Sequence, residues 1–284
     1  MLDATTRATF TAWTFRVETS DGLTLSAALH GPEDGQEIVL VHGLGQSWLS
    51  WNRQTGGTLA ETHRILSYDL RGHGDSSRPD ETGRYSDPQR WADDLKAVID
   101  AAGFRRPVIV GWSFGGLITG YFLRHHGAAH VAGVNLVGAV TRLDPALLGI
   151  AALHHAGPLG SEDLAERVKA YASFLKSCFA TPPDPADLEQ MLVYNGMVPR
   201  AVQKAVVMLE SEGLDTVWAQ LPELLLSWGD EEQHTRYEMS RRVMDLNPRA
   251  RMSVYVGAGH APFYERPARF NRELAEFTAG RTAR

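Results

Sequence analysis

Residues 108–116 constrain the fold of this chain more than any other stretch. They open with the apolar run Val108-Ile109-Val110, which predicts a strand buried on both faces. The sequence Gly111-Trp112-Ser113-Phe114-Gly115 follows, and a periodic apolar segment over residues 117–123 then predicts a helix. Glycines on both sides of Ser113 permit a sharp strand-to-helix turn in which a Cβ would clash. The pattern predicts a serine hydroxyl held out of a sheet at the positive end of a helix.

Apolar runs and helical patterns alternate on both sides of this unit. Helices are predicted from Asp87 to Gly103 and over residues 117–123, 237–246 and 270–277. The predicted strands are a hairpin pair over residues 10–30, turning at Asp21-Gly22, and residues 37–41, 65–68, 107–110, 131–137, 224–229 and 252–256. Strands that alternate with helices in this way indicate a parallel sheet covered on both faces. The polar loops at the carboxyl ends of these strands should therefore converge on one edge.

The strand signal is missing between residues 141 and 214, where helical patterns replace it. One helix is predicted after Ser161, a second near Pro185 and a third over residues 198–213. The first of these helices should present one apolar face, formed by Leu164, Val168, Tyr171, Leu175 and Phe179. Because the strand pattern resumes afterwards, we expect an α/β core of residues 1–140 and 215–284. Residues 141–214, hereafter the insertion, should form a helical cap within the same structural unit.

Composition narrows the class of protein. Of the 284 residues, 43% are hydrophobic and 22% are charged, as in an ordinary globular protein, and the net charge of −6 offers no basic surface for nucleic acid. The single cysteine, Cys178, excludes an intramolecular disulfide and suits a reducing compartment. Residues 1–5 lack a signal-peptide pattern, and no apolar run approaches 18 residues. We expect a soluble cytoplasmic protein that meets a small-molecule substrate, with neither membrane nor nucleic acid as partner.

Five ordered motifs carry a resemblance to a known family. They follow successive strands and are His42-Gly43-x-Gly45, Asp69-x-Arg71-Gly72-x-Gly74-x-Ser76, Gly111-x-Ser113-x-Gly115-Gly116, Gly229-Asp230-x-Glu232 and Gly259-His260-x-Pro262-x-x-Glu265. In this order they resemble the α/β-hydrolase fold superfamily, in its cap-bearing branch of esterases, cofactor-free haloperoxidases and carbon–carbon bond hydrolases. The resemblance covers nearly the whole chain outside the insertion. It implies a mostly parallel twisted sheet flanked by helices, with the inserted segment as a cap.

Acyl transfer on this fold needs a nucleophile, a base and a carboxylate that orients the base. Ser113 is the candidate nucleophile. His260, which follows the small residues Gly257-Ala258-Gly259 just beyond a strand, is the candidate base among 11 histidines. The resemblance places the carboxylate at Glu232, where aspartate is the commoner occupant, with Asp230 as its rival and Asp144 as an outside candidate.

The resemblance also assigns two backbone N–H groups to a developing oxyanion, those of Leu44 and Phe114. His42, Arg71, Asp75 and Ser76 are expected to brace the neighbouring loops rather than to react.

Other conspicuous residues have structural interpretations. His125-His126 should end a helix, where a cation favours the dipole, and His154-His155 lack a carboxylate at metal-ligand spacing. No dinucleotide or phosphate-loop motif is present, so neither a cofactor nor a metal is expected. The aromatic residues Trp48, Trp51, Trp112 and Phe114 are candidates for an acyl pocket, although Trp48 and Trp51 suit core packing equally well.

The sequence thus predicts a cofactor-free serine hydrolase that cleaves a small or medium apolar carboxylic ester through an acyl-enzyme. Serine at position 113 argues against dehalogenase or epoxide hydrolase chemistry, which needs a carboxylate nucleophile. Two alternatives stay open. The same catalytic triad of serine, histidine and carboxylate would also catalyse carbon–carbon bond hydrolysis, or perhydrolysis with secondary halogenation. If the triad is inactive, the protein would instead be a ligand receptor.

Overall fold

The computed structural model of the protein describes residues 12–279. The predicted start of the first strand at Phe10 and the N-terminal pattern of residues 1–5 lie outside this range. Within it, all strands form a single eight-stranded sheet in the order β1-β2-β4-β3-β5-β6-β7-β8. The strands are β1 (Trp13–Glu18), β2 (Thr24–His30), β3 (Gln36–Val41), β4 (His63–Tyr68), β5 (Val108–Trp112), β6 (Gly133–Val137), β7 (Leu224–Gly229) and β8 (Arg251–Tyr255).

The sheet is mostly parallel, as predicted. Only β1–β2 and β2–β4 pair antiparallel; the other five neighbouring pairs in the described sheet are parallel. The inner strands β5 and β6 are buried along their whole length, which explains their largely apolar runs. Val41 pairs with Gly111, and Trp112 pairs with Val137, so β3, β5 and β6 end side by side.

Helices cover both faces of this sheet. On β3, Ile38 and Leu40 belong to one apolar core, whereas Val39 and Val41 belong to the other. The helices in the described range are α1 (Asn52–Thr55), α2 (Pro88–Ala101), α3 (Phe114–His126), α4 (Ile150–His155), α5 (Leu164–Ser177), α6 (Pro185–Gly196), α7 (Arg200–Val206), α8 (Leu214–Gln220), α9 (Tyr237–Leu246), α10 (Pro262–Glu265) and α11 (Pro267–Thr278). None of these helices combines the length and the apolar composition needed to cross a bilayer.

Helix α2 shows how local sequence sets an element. The Asp87 carboxylate accepts the Gln89 N–H, and Pro88 occupies the first turn, where its missing N–H has no cost. Trp91 and Leu95 are buried on its inner face, and Gly103 follows the helix with a φ of +69°. The predicted helix and its bounding residues are confirmed.

The described elements of the insertion are helices, and their bounds differ from those predicted. Helix α5 is capped by Asp163, whose carboxylate accepts two N–H groups, and not by Ser161. Of its predicted apolar face, Tyr171 and Leu175 are buried, while Leu164 and Val168 are 64% and 57% exposed. Helix α4 was not predicted, because its six residues are too short to show a period. Cys178 lies just past the end of α5 and is buried.

The third predicted helix of the insertion, residues 198–213, is too long. Helix α7 ends at Val206, and α8 begins at Leu214. The segment between them contacts α3: Tyr121 Oη donates to the Glu210 carbonyl, and the Arg124 guanidinium donates to the Glu212 carbonyl. These tertiary contacts use the backbone carbonyls at the point where the apolar pattern suggested a continuing helix.

Candidate active site

Ser113 lies in the turn between β5 and α3, as the glycine pattern predicts. Its φ of 53° and ψ of −117° make it the one non-glycine residue with positive φ in residues 12–279. Such a conformation is strained and persists only where surrounding contacts impose it. Here the Ser113 N–H donates to the Val137 carbonyl at 3.0 Å, and the Ser113 carbonyl accepts N–H groups from Gly116 and Val140.

The glycines around Ser113 are required by close backbone approach. A Cβ on Gly111 would lie 2.7 Å from Thr119 Oγ1, and one on Gly115 would lie 2.3 Å from the Val41 carbonyl oxygen. A Cβ on Gly43 would lie 3.2 Å from Ser113 Cβ. The loop after β3 therefore lies directly against the serine.

His260 and Glu232 form a buried pair. Glu232 Oε2 lies 2.6 Å from His260 Nδ1, and the two side chains are 0% and 2% exposed. A carboxylate can only accept, so Nδ1 carries a proton; in the neutral ring, Nε2 then has the free lone pair that a general base needs. The pair contacts the backbone just beyond β6, where a Cβ on Gly138 would lie 2.6 Å from Glu232 Oε2 and 2.9 Å from His260 Nδ1.

Backbone amides hold Glu232 in place. Its Oε1 accepts the N–H of His234 at 2.6 Å and that of Thr235 at 3.3 Å. The rival carboxylate, Asp230, instead accepts the Gly257 N–H at 2.6 Å. Asp144 caps a short 3₁₀ helix by accepting the Ala146 N–H. Of the three candidate acids, Glu232 is therefore the one in contact with His260.

The loop that carries His260 is tied to two other parts of the chain. Trp112 Nε1 donates to the His260 carbonyl at 2.8 Å. The Glu265 carboxylate accepts the N–H groups of Gly259 at 2.7 Å, Ala180 at 2.8 Å and Thr181 at 3.1 Å. Glu265 thus joins the histidine loop to the insertion.

A cavity of about 370 Å³ opens beside Ser113. Leu44 and Phe114, the predicted oxyanion donors, line it together with Ser113. Phe114 is the first residue of α3, where a backbone N–H has no acceptor inside the helix. Ser113 Oγ and His260 Nε2 make no hydrogen bond to each other or to any other group in residues 12–279. Neither atom is completely enclosed by protein, so both are accessible.

The tryptophans proposed for an acyl pocket do not line this cavity. Trp51 and Trp112 are fully buried and pack against Phe263, and Trp48 lies against His30. Of the four aromatic candidates only Phe114 borders the cavity. Trp51 and Trp112 do not reach the cavity because their large apolar indole rings pack in the buried core.

His42 and Arg71 brace the neighbouring loops. Burial lowers the pKa of His42 to about 4, so the ring is neutral; it contacts the Gly43 carbonyl and accepts the Leu70 N–H. Arg71 is 1% exposed and pairs with the carboxylates of Asp94 and Asp21. Ser76 Oγ donates to the Asp69 carbonyl, and the Asp75 N–H donates to the Asp69 carboxylate.

The paired histidines flagged in the sequence have structural partners. His126, in the last turn of α3 beside His125, lies 3.0 Å from an Asp93 oxygen. His155, beside His154, contacts the Ala151 carbonyl with one ring nitrogen and Ser173 Oγ with the other.

Sequence reasoning missed His234, which lines the cavity and packs against His260 with ring centroids 4.6 Å apart. Burial lowers its pKa well below the usual value, so this ring is also neutral. Its Nε2 contacts Ser177 Oγ at 3.0 Å, which joins the acid loop to α5. The available signal was its position two residues beyond Glu232.

Comparison with known proteins agrees with this fold. The sequence model of the alpha/beta hydrolase family matches residues 38–273. A crystal structure from Burkholderia cenocepacia, provisionally named an aryl esterase, is 33% identical, has a TM-score of 0.89, and the match covers 93% of this chain and 97% of that one. The crystal structure of an esterase from Rhodococcus sp. ECU1013 is 30% identical and has a TM-score of 0.87. That match covers 94% of this chain and 99% of the esterase.

A curated relative, a non-heme chloroperoxidase from Streptomyces lividans, is 35% identical over 124 residues, 44% of each chain. The chain spans less than half the length of the first curated relatives that it matches. Together, the family match over most of the chain and the two full-length structural relatives show that this protein belongs to the alpha/beta hydrolase family and is an α/β-hydrolase enzyme.

Proposed function

We propose that the protein is a serine hydrolase that cleaves a small or medium, mainly apolar carboxylic ester through an acyl-enzyme. Ser113 is the nucleophile, His260 the general base and Glu232 the carboxylate that orients it. The observation that carries the proposal is the 2.6 Å contact of buried Glu232 with His260 Nδ1, beside a strained serine that opens onto a cavity.

The proposed steps start from a neutral His260 whose Nδ1 proton is donated to Glu232. His260 Nε2 takes the Ser113 proton as Oγ attacks the ester carbonyl carbon. Imidazolium then forms next to the buried Glu232 carboxylate, which stabilises the charge. His260 returns the proton to the leaving alcohol oxygen, and the same nitrogen later activates the water that releases the acyl group.

The Leu44 and Phe114 amides stabilise the oxyanion of each tetrahedral intermediate. Both residues border the cavity next to Ser113, and the Gly43 backbone lies against the serine. One such donor contributes about 3 kcal/mol to transition-state stabilisation. Because both donors belong to the main chain, side-chain substitutions at these positions should change fit more than chemistry.

The cavity supports a substrate that is mostly apolar and of limited size. Thirteen of its 19 lining residues are apolar, and about 370 Å³ corresponds to roughly a dozen water volumes. Helices of the insertion supply much of the wall. We propose that the insertion acts as a cap that excludes water and selects the substrate.

A fluorophosphonate probe tests the assignment of the nucleophile. It should label the protein stoichiometrically at Ser113, and Ser113→Ala should remain unlabelled and lose hydrolysis of nitrophenyl esters. Ser211 is a matched control because its hydroxyl is used by the Leu143 N–H, so Ser211→Ala should still be labelled. Equal labelling of Ser113→Ala and the unaltered protein would refute the proposal.

A second candidate, perhydrolysis on the same residues, is favoured by the relatives. Besides the chloroperoxidase, a bifunctional esterase/perhydrolase from Acinetobacter calcoaceticus is 33% identical over 127 residues. Hydrogen peroxide in place of water would release a peracid from the acyl-enzyme. Peracid formation from acetate and peroxide that exceeds nitrophenyl ester hydrolysis in rate would favour this candidate.

A further inference from the structure

Gln203 is a polar side chain inside the cavity that the proposed chemistry does not use. It lies on α7, is 6% exposed and lines the same cavity as Ser113. Val207, four residues further on at the C-terminal end of α7, also lines the cavity but is 70% exposed. Gln203 is therefore a buried part of the lining and Val207 an exposed part.

The Gln203 carboxamide has no hydrogen-bond partner in the part of the chain that the structure describes, residues 12–279. It is also absent from the fully enclosed polar atoms without a partner, so its amide group faces the accessible space of the cavity. A carboxamide offers two N–H donors and a carbonyl acceptor. A ligand that fills this space without offering the carboxamide a polar partner would leave it buried and unpaired, which is unfavourable, whereas a ligand group with matching polarity avoids that penalty.

Other polar side chains of the cavity already have roles. Both ring nitrogens of His155 are in contact with protein groups, and Asp144 accepts the Ala146 N–H. The Thr235 hydroxyl is unpaired but enclosed by protein atoms. The polar residues of the lining are Ser113, Asp144, His155, Gln203, His234 and Thr235. His234 uses Nε2 on Ser177 Oγ and packs its ring against His260. Gln203 is the accessible polar lining residue whose side chain makes no hydrogen bond to residues 12–279 and takes no part in the proposed chemistry, so it is placed to bind a second polar group of a ligand.

The charge of the lining restricts that ligand. No Lys or Arg is among the described residues that border the cavity, and Asp144 is its one acidic residue. A ligand with a carboxylate or phosphate would bring a negative charge into an apolar space without a cation to balance it. The matching ligand is therefore neutral.

We propose that Gln203 is a specificity-determining residue for a neutral ester whose chain carries an amide, ketone or hydroxyl group away from the scissile bond. The apolar walls hold the hydrocarbon part, and the Gln203 carboxamide hydrogen-bonds to the second polar group. This inference rests on the proposed function, because it assigns the cavity to the substrate of Ser113.

Paired substrates test the proposal. Nitrophenyl esters of N-acetylglycine, N-acetyl-β-alanine, 4-acetamidobutanoate and 6-acetamidohexanoate are each compared with the unbranched alkanoate of equal chain length. We expect kcat/KM to favour at least one amide ester by roughly three- to tenfold, the size of one neutral hydrogen bond. Gln203→Met, which keeps the length of the side chain and its helix propensity, should abolish this preference.

The neighbouring exposed residue supplies a control. Lys204→Met makes the same replacement one position along α7, at a side chain that pairs with Glu162, and should retain the amide preference. If every amide-to-alkyl ratio is the same in Gln203→Met as in the unaltered protein, while both esters are hydrolysed, the specificity role is wrong. If the unaltered protein hydrolyses none of these esters, the proposed function itself is contradicted.

A binding measurement separates the two failures. Calorimetry with Ser113→Ala compares N-butylhexanamide, a neutral amide that is not an ester, with dibutyl ether as a ligand without N–H donors. Tighter binding of the amide that falls three- to tenfold when Gln203→Met is added supports the site without any catalysis. Equal affinities in both backgrounds would overturn it.

Discussion

The Glu232 carboxylate reaches His260 Nδ1 across 2.6 Å even though glutamate is one methylene longer than aspartate. The backbone N–H groups of His234 and Thr235 donate to the other carboxylate oxygen and hold the carboxylate in this position. The Asp230 carboxylate, two residues earlier, accepts the Gly257 N–H of the histidine loop. This arrangement separates the roles of the two acids in a way that substitution can measure.

We predict that Glu232→Gln lowers kcat by about 10³- to 10⁴-fold, because the base loses its orientation and the imidazolium its counter-charge. Glu232→Asp withdraws the carboxylate by about 1.5 Å, one C–C bond, and should give an intermediate loss. Asp230→Asn is the matched control and should keep kcat within a few-fold. A larger loss in Asp230→Asn than in Glu232→Gln, measured with one nitrophenyl ester, would reverse the assignment.

Gly138→Ala should impair catalysis more than folding. Gly138 has a φ of +46°, and an added Cβ would meet both Glu232 and His260. Gly127 has a φ of +87° with open space around it, so Gly127→Ala imposes the backbone strain alone. Gly127→Ala should lose about 1–3 kcal/mol of unfolding free energy from strain alone. Gly138→Ala should lose more, because the clash adds to the strain, and only Gly138→Ala should lower kcat, by about 100-fold. Equal kcat values for the two variants would show that the pair tolerates displacement.

Much of the fold was predictable because its signals are local. The Asp87-Pro88 start of α2 and the residue bounds of α9 match the sequence patterns, and the buried strands match their apolar runs. The insertion was less predictable, because its helices are short and end where contacts to α3, such as Tyr121 to Glu210, intervene. Such contacts join residues far apart in sequence and leave no periodic trace.

In the candidate site, too, the residues that belong to local motifs were predictable, whereas contacts between distant parts of the chain were not. The motifs placed Ser113, Glu232 and His260 at neighbouring strand ends, which the sheet order brings to one edge. The partners of Glu265 and the contact of His234 with His260 could not be read from the sequence, because they depend on how the insertion folds back over the core. Trp51 takes the core-packing alternative, and Trp112, a candidate for the acyl pocket, also packs in the core against Phe263.

Glu265→Gln should loosen the histidine loop and the insertion together. The Glu265 carboxylate accepts three backbone N–H groups, and an amide would turn one acceptor into a donor facing N–H groups. We expect a loss of about 1–3 kcal/mol in urea unfolding and faster hydrogen exchange at Gly259 and Ala180. Glu231→Gln, at an exposed neighbouring carboxylate, should change neither quantity. Unchanged exchange at both amides in Glu265→Gln would contradict this bridging role.

The free energy of unfolding should fall as the pH drops below the usual pKa of histidine. His30 is suited to testing this because it is not one of the proposed catalytic residues. Burial lowers the pKa of His30 from 6.5 to about 4. At pH 5 the unfolded chain is therefore protonated at this residue while the native protein is not, which favours unfolding by about 2 kcal/mol relative to pH 7. His30→Gln should remove that part of the pH dependence in urea unfolding at pH 5, 6 and 7. His154→Gln, at an exposed histidine, should leave the slope unchanged. A His30→Gln protein that loses stability with falling pH as steeply as the unaltered protein would show that this imidazole already titrates in the native state.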